Sequence, residues 1–101
     1  MHKRGEAAVV TVTGELDLAV ADKLRAAIEQ VEEPTLVIDL SACGFIDSTG
    51  IAVILRSHGR FAEEGRRLVV ASPQRQVLRV LELTGLTADG MLVEKPGDAL
   101  D

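Results

Sequence analysis

Residues 35–40, Thr-Leu-Val-Ile-Asp-Leu, form an almost continuous apolar run, and no other feature of the chain constrains the fold as strongly. A short segment that is apolar on both sides must be covered on both faces, the situation of a central strand in a parallel sheet. The flanking segments have the pattern of the helices that such strands need between them. Asp17 precedes Val20, Leu24, Ile28 and Val31, whose spacings of four and three trace one face of an amphipathic helix. Asp17 or Asp22 complements the N-terminal end of that helix, and Glu32, Glu33 and Pro34 stop it. Beyond the run, a link over 41–44 leads to Phe45-Ile46-Asp47-Ser48-Thr49-Gly50. Ile51, Ile54, Leu55, His58, Phe61 and Ala62 then predict a second helix, which Gly65 closes with a left-handed cap.

The rest of the chain continues the alternation. Residues 7–13 are rich in Val and Thr and predict a strand ended by Gly14. Residues 68–71 predict another, and Ser72-Pro73 reads as an N-cap hydroxyl followed by proline at the first position of a third helix. That helix carries Val77, Val80, Leu81 and Thr84 and ends at Gly85; residues 91–93 predict a last strand, and residues 97–100 resemble the start of a helix. The order strand, helix, strand, helix, strand, helix, strand defines an α/β fold: a small, mostly parallel (mixed) sheet of about four strands with helices packed against it. At 101 residues, with no repeat or linker, residues 1–101 are expected to form a single domain that buries a core without disulfide or metal.

Composition narrows the function. Phe45 and Phe61 are the only aromatic residues, so the core is aliphatic and a stacking platform for single-stranded nucleic acid is missing. The net charge of −5 has the wrong sign for neutralising phosphates, so no direct nucleic-acid contact is expected. The imbalance lies in the first half: residues 1–50 hold four basic and nine acidic residues, residues 51–101 seven of each. Cys43 is the single cysteine, no apolar run approaches a membrane span, and the start lacks the apolar stretch of a signal peptide. A cytoplasmic location without membrane insertion is the expectation.

Sequence motifs of nucleotide, serine-hydrolase and zinc-protease sites are absent. His2, Cys43 and His58 lack the spacing of zinc ligands, and no metal is expected. A catalytic Cys43–His58 pair can be drawn, which would make the chain a small enzyme, but a buried thiol and a helix-face imidazole account for both residues more simply. The informative stretch is Asp47-Ser48-Thr49-Gly50, at a strand-to-helix junction. Ser48 suits the role of N-cap there. The same placement exposes a hydroxyl where the helix dipole and free N–H groups accommodate a phosphate, and Gly50 lets another backbone approach closely, as a phosphorylation switch requires.

Four segments in register, Thr13-Gly14-Glu15-Leu16-Asp17, Val37-Ile38-Asp39-Leu40, Phe45-Ile46-Asp47-Ser48-Thr49-Gly50 and Leu81-Glu82-Leu83-Thr84-Gly85-Leu86, resemble the successive signatures of the STAS domain family, in the order found in bacterial anti-sigma factor antagonists. The resemblance covers residues 9 to 93 and implies a regulatory binding protein, not an enzyme, with no cofactor of its own. It implies Ser48 as the phosphoacceptor and a partner-binding surface made of Asp17, Asp47, Ser48, Thr49 and Gly50. The implied partners are an anti-sigma factor that is also a serine kinase, bound by the unphosphorylated form so that the sigma factor is released, and a PP2C-type phosphatase that reverses the modification. The family's other roles, a stressosome scaffold or the cytoplasmic partner of a membrane transport ATPase, are the alternative. Residues 1–6 are short for the family's leading strand and residues 98–101 for its final helix. A monomer is expected, with edge pairing into a dimer as the alternative.

Overall fold

The computed structural model describes residues 2–4, 7–85 and 92–93, with side chains over 7–85. The order is β1 (His2–Arg4), β2 (Ala7–Leu16), α1 (Leu18–Glu29), β3 (Thr35–Ile46), α2 (Ser48–Glu63), β4 (Arg67–Ala71), α3 (Arg75–Leu83) and β5 (Leu92–Val93). The strands form one sheet in the order β1-β2-β3-β4-β5, with β1 antiparallel to β2 and every other pair parallel. The expected mixed, mostly parallel sheet is therefore present with five strands rather than about four. The additional one is β1: residues 2–4 pair with Val9, Ala8 and Ala7.

The apolar run is central, as its composition requires. Leu36, Ile38 and Leu40 are buried in one cluster with Ala8, Val10, Leu68 and Val70 from the neighbouring strands. Leu24 and Ile28 of α1, Ile54 and Phe61 of α2, and Val77 and Leu81 of α3 complete that cluster. On the reverse of the sheet Val9, Val37 and Val69 stand in register and are buried with Ala71. Arg66 ties the loop after α1 to the loop after α2: its guanidinium donates to the carbonyls of Val31 (2.7 Å) and Glu33 (2.8 Å) and lies 3.9 Å from the centre of the Phe61 ring.

Several boundaries differ from the sequence reading, each for a tertiary reason. Residues 41–44 are not a link but part of β3, which runs on to Ile46 because β2 pairs with it to Leu16, with register shifts between Thr11 and Thr13 and between Gly14 and Glu15. Val31 is buried although α1 has ended. In α2, Leu55 is 44% exposed and Ser57 takes the buried position instead. Ser72 adopts φ 55° and does not cap α3; the helix starts at Arg75 after Gln74, whose side chain donates instead to the Ser41 carbonyl. Gly65 and Gly85 do close α2 and α3 with φ of 72° and 79°. The anticipated start of a helix at 97–100 lies outside the described residues.

Candidate functional site

β2 and β3 are parallel neighbours, and their last paired residues are Leu16 and Ile46. Each strand passes through one aspartate into a helix, so Asp17 and Asp47 occupy equivalent positions at the C-terminal edge of the sheet, where open α/β sheets carry their sites. The two turns have nearly the same backbone, φ −102° and ψ −172° at Asp17, φ −105° and ψ −176° at Asp47. They are joined directly, because the Asp47 N–H donates to the Leu16 carbonyl at 3.1 Å.

Asp47, not Ser48, is the N-cap of α2. Its Oδ1 accepts from the N–H groups of Thr49 (3.0 Å) and Gly50 (3.1 Å) and from the Thr49 hydroxyl. These bonds, the one from the Thr49 hydroxyl foremost, hold the Asp47 carboxyl below the usual carboxylate range. Asp17 caps α1 by accepting from the Val20 N–H at 3.2 Å. Ser48 is thereby displaced to the first helical position, where its side chain is exposed and its hydroxyl makes no hydrogen bond among the described residues. Thr49 is half-buried with its hydroxyl committed to Asp47. Asp47 occupies two of the first-turn N–H groups, those of Thr49 and Gly50, that the sequence reading left free for a phosphate.

Gly50 is buried, and a Cβ there would lie 2.5 Å from Leu16 Cγ and 3.0 Å from the Leu16 carbonyl oxygen. Its hydrogen side chain is what lets α2 start against the end of β2, so it sets the position of Ser48 from beneath. The surface beside Ser48 contains residues that the sequence did not single out: Leu18, 69% exposed, together with Ala52, Val53 and Arg56. Periodicity places each on its own helix, but only the packing of α1 against α2 brings them to one groove. Cys43 is buried with its thiol donating to the Phe45 carbonyl at 3.2 Å, and the described residues hold no group of His, Cys, Asp and Glu that could bind a metal ion. No described helix is long and apolar enough to cross a membrane.

The fold is thus a small mixed sheet of the α/β class whose two adjacent helix starts are capped by Asp17 and Asp47, with the Ser48 hydroxyl exposed beside them. The chain belongs to the STAS domain family: the family model described as Mlab, STAS domain matches residues 1–94. The anti-sigma-F factor antagonist RsfB of Mycobacterium tuberculosis is 35% identical over 96 residues, which span 92% of this chain and 78% of that protein. A solved structure of an anti-sigma factor antagonist from Mycobacterium paratuberculosis superposes with a TM-score of 0.87 at 32% identity, covering 98% of this chain and 86% of the other. SpoIIAA in its unphosphorylated form shares the fold with a TM-score of 0.83 at 24% identity, covering 100% and 90%.

Proposed function

We propose that this chain is a cytoplasmic anti-sigma factor antagonist whose binding is switched at Ser48. The unphosphorylated protein docks its α1 and α2 starts, with Asp17, Asp47, Ser48, Thr49 and Gly50 forming or shaping the contact, on an anti-sigma factor that is a serine kinase, and thereby releases the sigma factor. Transfer of a phosphoryl group to Ser48 ends the association, and a PP2C-type phosphatase restores it. The chain itself is a binding protein and substrate, not an enzyme.

One observation carries this reading: of the two adjacent hydroxyls, that of Ser48 is exposed and unbonded while that of Thr49 is held by Asp47. A kinase can reach the first without dismantling the helix cap. The relatives named as antagonists support the class of function. A partner packed over Ser48 has no room for a phosphate, whose dianion would clash or lose its solvation at the contact.

The test is incubation with purified serine-kinase anti-sigma factors and ATP, followed by intact-mass measurement and phosphopeptide mapping. A single phosphate on Ser48, with complexes formed by the wild type and Ser48→Ala but not by Ser48→Asp, is the expected result. Phosphate found chiefly on Thr49, or Ser48→Asp binding like the wild type, would overturn it.

A further inference from the structure

The face that carries Ser48 continues away from the helix starts as a groove between α1 and α2. Beside Ser48 it has a volume of about 330 Å³, walled by Leu18, Asp22, Arg25, Ala52, Val53 and Arg56. A second depression of about 170 Å³ shares Arg25, Val53 and Arg56 and adds Glu29, Ser57 and Arg60. The apolar part of this surface is not covered by any described residue at Leu18, which remains 69% exposed.

Its charge is uneven. Arg25, on the α1 wall, is held by Asp22 at 2.8 Å and Glu29 at 2.9 Å. Arg56 and Arg60, exposed and one turn apart on the α2 wall, have no carboxylate partner among the described residues, in a chain of net charge −5. Like charges at this spacing weaken a helix slightly, although Arg60 in the last turn of α2 complements the C-terminal end of that helix. Asp17 and Asp47 at the other end already accept hydrogen bonds from their own helices. The groove walls, with Arg25, Arg56 and Arg60 against Asp22 and Glu29, thus carry a surplus of one positive charge, placed at the Arg56 and Arg60 end beyond an apolar step, whereas Asp17 and Asp47 keep the helix-start end acidic.

We propose that this groove receives an acidic segment of the anti-sigma factor kinase, one apolar side chain of which lies over Leu18, Ala52 and Val53 while its carboxylates meet Arg56 and Arg60. The inference rests on the reading of the Ser48 face as the docking site and specifies the chemistry of its partner. Complementary charge of this kind sets association rate and orientation more than final affinity. It also gives the Ser48 phosphate a second effect, since the modification adds negative charge at the mouth of a groove whose occupant is acidic.

The experiment titrates the full chain against each serine-kinase anti-sigma factor encoded in its genome, purified individually. Wild type is compared with Arg56→Glu/Arg60→Glu, with the milder Arg56→Gln/Arg60→Gln, and with Arg79→Glu on α3 as a control outside the groove; melting curves verify that each is folded. The reversed pair is expected to weaken binding at least ~10-fold at low salt, mainly through a slower association rate, with the deficit shrinking in high salt and Arg79→Glu within about twofold of wild type. The Gln pair is expected to fall between the two. Binding by both groove variants within about twofold of wild type, while Ser48→Asp still abolishes it, would sink the groove and leave the docking face standing. Absence of wild-type binding to every such kinase, with no phosphate on Ser48, would overturn the docking face and the groove together.

Discussion

Asp47 determines what the residues after it can do. By taking the N–H groups of Thr49 and Gly50 and the Thr49 hydroxyl, it caps α2, withdraws one hydroxyl and leaves the other in solvent. Because the cap is Asp47, Ser48→Ala is expected to change stability by no more than about 0.5 kcal/mol, as an exposed substitution does. Asp47→Ala should lower the melting temperature and release Thr49. Thermal melts of the two variants check both statements. The acid dependence has a definite sign: the folded-state pKa of Asp47 is depressed, so the unfolded chain takes up the proton first. The stabilisation is fully present above the ordinary carboxylate pKa of about 4 and is lost as pH falls through the lower folded value. The melting-temperature gap between wild type and Asp47→Asn is therefore expected to be widest near neutral pH and to narrow below about pH 4. A gap that grows on acidification would contradict the assignment.

At the scale of elements, the site depends on how closely α2 starts against the end of β2. A Cβ on residue 50 falls at 2.5 Å from Leu16 Cγ, so Gly50→Ala forces Leu16 or the helix to move. Overpacking of this kind costs typically about 1–3 kcal/mol, offset by about 1 kcal/mol from the better helix propensity of alanine. Net destabilisation in denaturant titrations, with shifted amide signals at Leu16 and Ser48, is expected. Leu24 of α1 and Ile54 of α2 are 3% and 0% exposed, and truncating either to Ala should cost about 2–5 kcal/mol. Leu55, which shares their apolar character, is 44% exposed and should lose less than about 1 kcal/mol as Ala. Equal losses at 54 and 55 would mean that α2 is rotated about its axis.

For the whole molecule, the position of Ser48 predicts that the proposed switch leaves the fold intact. The side chain lies outside both buried clusters, and the cap beneath it is supplied by its neighbour. Phosphorylation is expected to shift amide signals over 47–55 and at the adjoining start of α1, with the central strands unchanged and a melting temperature close to that of the unmodified chain. Shifts spread through β3 and β4 would show instead that the phosphate acts by reorganising the sheet.

The alternation of strands and helices, the burial of residues 36–38 and 40, and the junction at residue 47 were legible because period and turn chemistry are local properties. So were the endings at Gly65 and Gly85, where glycine allows a left-handed backbone. The motif Asp-Ser-Thr-Gly likewise marked the junction, but the sequence reading assigned the cap to Ser48, whereas Asp47 holds the helix. That choice depends on the Asp47 N–H reaching the Leu16 carbonyl on the neighbouring strand. Residues 41–44 contain turn formers, yet the ladder with β2 keeps them extended. Pairing of that kind outweighs local preference because the parallel neighbour satisfies backbone groups that a turn would leave to solvent. Leu18, Arg56 and Arg60 came together only when α1 and α2 packed side by side: each helix carries its own periodicity, and the rotation of one against the other is a property of their contact.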